Sequence, residues 1–292
     1  MFSSHTAHKI SFYIGFSFLY LSIIQALFVK ESQFYTSFVL GSWLVLDFID
    51  YKLNKTSILS YFYNHKHRFA FYLFFFVSFI FCFIVDYLWG VRVFKMWEWI
   101  NYGFVQFFRM YVIMNASFVL GMYELYRLIK TLLKTKIKEK NIIYFKFSYE
   151  KKHTLYLAMF LLGIIFIFLP LYFLLFNIYY FAEFVMILPF ISVIFITDAI
   201  TYLTGGEPIL EDLIHFNMLK VISLLLTVLI AVVITEGLNL SGKEWRYLQM
   251  PFYNMQIFTV PASVVIGWIP LIIGSISIVN MVKHVSFIKE KR

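Results

Sequence analysis

The chain contains one cysteine, Cys82, and only 14% of its 292 residues are charged. A single cysteine excludes an internal disulfide and any metal site built from cysteines. A glycine-rich phosphate loop is missing as well, because the stretch "TGGEPIL" at 204–210 has only two glycines and no strand before it. We therefore expect neither a metal nor a cofactor.

Apolar residues dominate what is present. They make up 61% of the chain, and the mean hydropathy is +0.79, whereas soluble domains are about 45–50% apolar. Runs of about 20 apolar residues predict membrane-spanning helices, and the first run is too long for a signal peptide. We predict an all-α integral membrane protein with about eight transmembrane helices. Their predicted bounds are 10–29, 33–51, 69–89, 104–126, 154–176, 180–203, 218–236 and 257–282.

Basic residues cluster in the loops 51–68 and 127–153 and in the C-terminal "KEKR". With eight spans these segments lie on the same side as both termini, and the positive-inside rule places that side in the cytoplasm. The net charge of +9 is thereby explained without nucleic acid. We expect a multi-pass protein of the inner cell membrane, with loop 127–153 as a candidate docking site for a protein partner.

The sequence contains an internal repeat. The segment 46–59, "LDFIDYKLNKTSIL", aligns without a gap with 197–210, "TDAITYLTGGEPIL", and "NASFVLG" at 115–121 aligns with "PASVVIG" at 261–267. The matched pairs, in chain order, are Asp47 and Asp198, Tyr51 and Tyr202, Asp86 and Glu236, and Trp97 and Trp245. We predict two parallel four-helix repeats, 1–140 with a basic linker and 141–292, because an even number of spans gives both copies one orientation.

Two carboxylates in apolar surroundings are the strongest candidates for chemistry. Asp86 and Glu236 each lie near the end of a predicted span, where acidic residues usually face the interior of a helix bundle and serve as proton donors or acceptors. We predict them as the catalytic acids if the protein is an enzyme. The predicted substrate-binding residues are Trp97, Trp99, Asn239, Trp245, Tyr247, Asp47 and Asp198.

Each of these residues also has a structural interpretation. Tryptophan and tyrosine are common at membrane interfaces regardless of ligands. The two acids could be solvated at the ends of their spans or paired with Arg92 or Lys243. Asp47 and Asp198 could pair with the basic loops.

An acid near the end of a span, followed about ten residues later by Trp-x-aromatic and another apolar span, resembles the repeat of the membrane-bound lycopene cyclase domain. The matching residues are Asp86, Trp97 and Trp99 in one half and Glu236, Trp245 and Tyr247 in the other. The resemblance implies duplicated helical units and protonation of a polyene without redox change. That family has paired glutamates after its proline, whereas here "ASVVIG" follows Pro261. The unit of Glu236, Asn239 and "WRY" is also similar to uncharacterised bacterial polytopic membrane proteins.

Three functions follow from these features. The first is binding of a membrane lipid or another hydrophobic small molecule, such as an isoprenoid, between the halves, with non-redox acid–base chemistry. The second is a proton-coupled transporter that uses the same carboxylates. The third is a non-catalytic membrane subunit or scaffold that holds a partner through loop 127–153.

Overall fold

The structure, a computed structural model, describes residues 4–145, 148–176 and 182–288, and within them the chain is almost entirely helical. The helices are α1 (Ser4–Phe28), α2 (Tyr35–Asn54), α3 (Ile58–Tyr63), α4 (Arg68–Cys82), α5 (Phe104–Phe108), α6 (Asn115–Leu133), α7 (Tyr149–Leu175), α8 (Ala182–Val185), α9 (Leu188–Leu203), α10 (Ile209–Ile214), α11 (Met218–Gly242) and α12 (Ala262–Ile288). Two π-helical segments, Phe83–Val93 and Arg109–Met114, continue α4 and precede α6. The strands are β1 (Trp97–Trp99), β2 (Trp245–Tyr247), β3 (Gln256–Ile257) and β4 (Val260–Pro261).

Six helical stretches of the described chain are long and apolar enough to cross a bilayer, so the predicted class of apolar helical chain is confirmed. They are His5–Phe28, Arg68–Val93, Phe104–Leu133, Tyr149–Phe173, Met218–Gly242 and Ala262–Ser286. The two other predicted spans, 33–51 and 180–203, coincide largely with α2 and α9. The helix α2 has 20 residues but carries Asp47, Asp50 and Lys52, and α9 has only 16 residues. Residues 180 and 181, like the "KEKR" tail, lie outside the described residues.

The elements occur twice in the same order. A long helix, a second helix, a short helix of six residues, a third long helix, a three-residue strand and a last long helix appear as α1, α2, α3, α4, β1 and α6. They appear again as α7, α9, α10, α11, β2 and α12. The helices α5 and α8 and the strands β3 and β4 are additions to this order.

The two three-residue strands pair with each other in an antiparallel ribbon. Trp97 pairs with Tyr247, Glu98 with Arg246, and Trp99 with Trp245. The side chains of the central pair, Glu98 and Arg246, form an ion pair. The ribbon joins the ends of the third long helices and presents its aromatic side chains toward both halves of the chain.

Close packing of α1 against α2 depends on two glycines. A Cβ atom added at Gly41 would lie 2.6 Å from the backbone nitrogen of Leu19 and 2.7 Å from the carbonyl oxygen of Gly15. Contacts that short between a carbon and backbone atoms require the two helices to separate. Small residues are the usual means of close helix approach within membranes.

We predict that Gly41→Ala destabilises the protein by about 1–3 kcal/mol, because the added methyl group overpacks this contact. Thermal unfolding of the detergent-solubilised protein would measure the loss. Gly237→Ala is the control, since an added Cβ there meets nothing within 4 Å. Equal melting temperatures for the two variants would contradict the packing argument.

Candidate functional site

A cavity of about 190 Å³ lies between the ribbon and the long helices of both halves. Its walls include the two predicted acids, Asp86 and Glu236, and are otherwise largely apolar and aromatic. The predicted ribbon residues that also line it are Trp97, Trp99, Trp245 and Tyr247. The structure therefore brings six of the nine predicted site residues to one place, although 150 positions separate the two acids in the sequence.

Glu236 is fully hydrogen-bonded at the cavity wall. The hydroxyl of Tyr247 lies 2.8 Å from each of its carboxylate oxygens, and Trp268 Nε1–H donates to Glu236 Oε1 at 3.0 Å. Trp245 Nε1–H in turn donates to the Tyr247 hydroxyl at 3.0 Å. A carboxylate that accepts several hydrogen bonds is held in one orientation. Glu236 is thus tied to both the ribbon and α12.

Asp86 lies inside the π-helical continuation of α4, at the opposite wall. The side chains of Trp97 and Tyr111 lie beside its carboxyl group as hydrogen-bonding neighbours. Its buried oxygen Oδ2 has no hydrogen-bond partner among the described residues. The alternative partner Arg92 instead donates from Nε to the Tyr87 hydroxyl at 2.7 Å. The two carboxylates therefore face the same cavity in different states of hydrogen bonding.

Asn239 supports the site without lining the cavity. Its Oδ1 accepts the backbone N–H groups of Glu244 and Trp245 at 3.1 and 3.2 Å, and its Nδ2 donates to the Trp245 carbonyl at 3.1 Å. The side chain is buried. Asn239 therefore fixes the turn from α11 into β2 and sets the position of Trp245.

Asp47 and Asp198 are not at the cavity but at the starts of the short helices. Asp47 Oδ1 accepts the backbone N–H of Leu59 at 2.8 Å, and Asp198 Oδ2 accepts that of Leu210 at 2.7 Å. Both bonds connect residues that are 12 positions apart. Such bonds satisfy backbone donors that a helix start leaves unpaired. These geometries agree with a structural role for both residues.

Asp47 belongs to a larger buried network with His8 and two serines. His8 Nδ1 lies 3.1 Å from Asp47 Oδ2, and His8 Nε2 lies 3.3 Å from Ser60 Oγ. This order of serine, histidine and aspartate is the order of a nucleophile, a base and an orienting acid. Here, however, Ser60 Oγ accepts the Ser57 backbone N–H at 3.0 Å and caps α3. The network therefore stabilises the helix start.

Sequence reasoning missed Glu244, which is completely buried beside the ribbon. Its carboxylate accepts the backbone N–H of Tyr35 and the hydroxyl of Tyr102, both at 2.6 Å. Burial raises the pKa of Glu244 from its ordinary 4.5 to about 7, against the opposing effect of the Tyr102 hydrogen bond. The signal in the sequence was its position directly before "WRY", with no apolar run to mark it as buried.

We predict that Glu244 makes stability depend on pH. A carboxyl whose pKa is higher in the folded state favours folding when it is protonated, so its contribution is complete below about pH 4.5 and is lost as pH rises through about 7. The full difference corresponds to roughly 3 kcal/mol.

Melting temperatures of the wild type and Glu244→Gln between pH 4.5 and 8 would measure this effect. The wild type should lose stability across that interval, and the variant should lose less. Parallel curves for the two proteins would contradict the assignment to Glu244.

Two further cavity residues lay in spans that gave no specific signal. Trp268 and Asn115 sit on the last long helix of each half, and both line the cavity. A lone tryptophan or asparagine in an apolar run does not indicate its direction. Only the packing of α12 and α6 against the third long helices brings them to the cavity, where Trp268 donates to Glu236.

Comparisons with protein-family models, with curated proteins and with solved structures give no match for this chain. Within residues 4–145, 148–176 and 182–288, no group of three or more His, Cys, Asp or Glu side chains is placed to hold a metal ion. The cavity presents carboxyl, amide, indole and phenol groups. Carboxyl groups can donate and accept protons, and aromatic walls suit an apolar ligand.

Proposed function

We propose that this protein is a multi-pass membrane protein of two tandem four-helix repeats, and that the cavity between them binds an isoprenoid or another hydrophobic molecule. Asp86 and Glu236 are its candidate acids for non-redox proton chemistry. The observation that carries the proposal is that both acids line one largely apolar cavity together with four aromatic residues of the ribbon.

Repeated contacts support the duplication. In the first half the ring of His8 stacks on Tyr51 with centroids 3.9 Å apart, and in the second half Tyr156 stacks on Tyr202 at 4.2 Å. Each of these tyrosines follows the capping aspartate of its half by four residues. The first long helix therefore packs on the second helix through corresponding positions in both halves.

The glycine contacts extend this correspondence. A Cβ at Gly15 would meet Leu44 Cβ at 2.6 Å and Val45 N at 3.2 Å. At Gly163, an added Cβ would meet Phe195 Cβ and Ile196 N, each at 3.2 Å. Gly15 and Gly163 follow His8 and Tyr156, respectively, by seven residues, and the contacted pairs occupy matched positions of α2 and α9. This equivalence supports α2 and α9 as the remaining two of eight spans.

The last helices favour a different register from the sequence match of 115–121 with 261–267. A Cβ at Gly121 would lie 3.4 Å from Trp43, and one at Gly274 would lie 3.3 Å from Val193 and 3.8 Å from Ile194. Trp43 and Ile194 each precede the capping aspartate of their half by four residues. These contacts pair Gly121 with Gly274, seven residues beyond Gly267, so the second half has a longer connection before its last helix.

The ribbon supports a twofold relation between the halves. If Trp97 corresponds to Trp245, then Trp99 corresponds to Tyr247. The observed pairs, Trp97 with Tyr247 and Trp99 with Trp245, are then the reciprocal pairs that a twofold axis produces. Parallel repeats in membrane proteins are related by an axis along the membrane normal, with substrate sites between them. The cavity lies at such a position.

The orientation in the membrane follows from charge. The segment 127–153 is rich in lysine, and the structure places its first seven residues in α6 and its last five in α7. Its described part lies at the end of the bundle that holds α3 and α10, where Arg127 donates to Thr56 and Lys152 pairs with Glu211. We assign this end to the cytoplasm by the positive-inside rule. The ribbon and the cavity are then near the outer face of the membrane.

Mass spectrometry of small molecules extracted from protein purified in mild detergent tests the proposal. The wild type should carry a specific isoprenoid or lipid, and the double variant Asp86→Asn, Glu236→Gln should carry a different amount or a different species. Both proteins must elute alike on size exclusion, so that loss of the fold is not mistaken for loss of the site.

Bulk phospholipid alone in both samples would contradict the binding-site proposal and favour the transporter or the scaffold. Reconstituted vesicles would then reveal pH-dependent flux that the same double variant abolishes if the protein is a transporter. If the protein is a scaffold, neutralising Lys134, Lys136, Lys138 and Lys140 should release a co-purifying partner. Substitution of Asp86 and Glu236 should then have no effect on that partner.

A further inference from the structure

The two sides of the cavity differ in how far their polar groups are satisfied. On the Glu236 side, the carboxylate takes hydrogen bonds from Tyr247 and Trp268, and the Tyr247 hydroxyl also accepts one from Trp245. These polar atoms are hydrogen-bonded to one another. The carboxylate and its three partners therefore form one hydrogen-bonded group, although Ser263 Oγ elsewhere in the cavity lining of the described chain is unpaired.

On the Asp86 side, the polar atoms are buried but unpaired. Within the described part of the chain, Asp86 Oδ2, Trp99 Nε1 and Asn115 Nδ2 are buried atoms of cavity-lining residues and have no hydrogen-bond partner. The Tyr111 hydroxyl, which is also unpaired, lies beside both Asp86 and Trp99 but does not line the cavity. The Asn115 side chain is only 4% exposed. A buried polar group without a partner is costly, and most native proteins satisfy such groups. This side is therefore open to a partner.

The backbone differs in the same way. Asp86 lies within one π-helical segment, Phe83–Val93, and a second segment, Arg109–Met114, ends directly before Asn115. Glu236 and Trp268, by contrast, lie on uninterrupted α-helices. The six-residue segment Arg109–Met114, between α5 and α6, is comparable to the single π-helical turns inside α-helices that are frequent at functional sites. Both segments border the open side of the cavity, so this independent feature also singles out the Asp86 half.

We propose that the Asp86 side binds the polar end of the ligand, and that this end is a hydroxyl group on an apolar chain. This inference rests on the proposed function, because it assigns a ligand class to the same cavity. A hydroxyl donates its proton to the Asp86 carboxylate and accepts from Trp99 Nε1–H or Asn115 Nδ2–H. It satisfies donor and acceptor together, as these three groups require.

Other ligand ends fit these groups less well. A hydrocarbon end leaves all three polar groups unpaired. A phosphate or carboxylate end would bring a negative charge to Asp86 and Glu236, and the lining residues of the described chain include no Lys, Arg or His. An ammonium end can pair with Asp86 and with aromatic faces, but it has no lone pair with which to accept from Trp99 or Asn115.

The two acids then have unequal roles. Asp86 contacts the polar end of the ligand directly. Glu236 positions the ribbon, because it is bound to Tyr247 and Trp268 and not to an open group. The duplicated unit therefore has one binding half and one supporting half.

Tryptophan fluorescence provides the test, since several tryptophans line the cavity. Farnesol, the hydrocarbon farnesene and farnesylamine would be titrated into the protein at fixed detergent concentration. We expect the wild type to bind farnesol at least tenfold more tightly than farnesene. Asp86→Leu and Asn115→Leu should abolish this preference, Asp86→Asn should reduce it, and Glu183→Gln, which changes an exposed carboxylate away from the cavity, should keep it. If a leucine variant fails to fold, Asp86→Asn still tests the preference for farnesol, because it retains the shape of the side chain.

The outcomes separate this inference from the function on which it rests. Equal binding of farnesol and farnesene by the wild type would keep the hydrophobic site and overturn the hydroxyl assignment. Tighter binding of farnesylamine would also overturn the hydroxyl assignment. Preference for farnesol that survives both leucine variants would show that another part of the protein binds the hydroxyl. No binding of any of the three compounds would contradict the cavity function itself.

Discussion

Asp47→Ala is expected to lower the free energy of unfolding by about 3–5 kcal/mol, the range found when one partner of a buried polar pair is removed. The Asp47 carboxylate accepts the Leu59 N–H at 2.8 Å and the Ser57 hydroxyl at 3.0 Å, and it lies 3.1 Å from His8 Nδ1. All of these side chains are buried. The variant leaves a backbone donor, a hydroxyl and an imidazole without their partner, while alanine cannot fill the space.

Thermal unfolding in detergent would measure this loss as a decrease in melting temperature of roughly 6–20 °C, since each kcal/mol shifts it by about 2–4 °C in a chain of this size. Glu183→Ala, at an exposed position, is the matched loss of a carboxylate and should have almost no effect. If Asp47→Ala melts like the wild type, the network is not a stabilising one, and Asp47 returns as a candidate binding residue.

Asp198→Ala extends the comparison to the second half. Asp198 accepts the Leu210 N–H at 2.7 Å and the Ser277 hydroxyl, but Tyr156 stands where the first half has His8. We therefore expect a smaller decrease than for Asp47→Ala. A larger decrease would contradict the view that His8 and its serines add stability to the first copy.

The helical class could be predicted from the sequence because apolar runs of span length carry a strong and local signal. The number of spans could not be settled in the same way. The helix α2 is not a purely apolar span, because it carries Asp47 and Asp50. Both acids are nevertheless buried by contacts with α1, α3 and α6. Tertiary contacts that are distant in sequence make these charges tolerable, and a local pattern does not reveal such contacts.

The candidate site, too, could be predicted from the sequence only in part. The acid and aromatic pattern that occurs twice predicted a set of residues, six of which line one cavity. It did not indicate that Glu236 would be hydrogen-bonded to Tyr247 and Trp268 while Asp86 would have an unpaired oxygen. Under the proposed duplication, that difference coincides with Trp99 against Tyr247 and Asn115 against Trp268, and with π-helical segments for which the sequence has no recognised signal.

Gly267→Leu is expected to reduce binding of a cavity ligand at least tenfold without unfolding the protein. Gly267 lines the cavity, and a Cβ added there meets nothing within 4 Å. A leucine side chain can therefore extend into the cavity without displacing neighbouring atoms. The cavity of about 190 Å³ is already smaller than the roughly 300–1,000 Å³ of most ligand pockets. The ligand would thus lose its space, while the helix gains a residue with better helix propensity than glycine.

Gly237→Leu provides the matched control, because Gly237 also lies on a long helix with nothing within 4 Å of an added Cβ, but it does not line the cavity. Both variants should melt at or slightly above the temperature of the wild type. Fluorescence titration with farnesol should then show weak binding only for Gly267→Leu. If both variants bind as the wild type does, the ligand does not occupy this cavity. If both lose binding equally, the ligand is held on the outer surface of the helices, where the added apolar volume is common to the two.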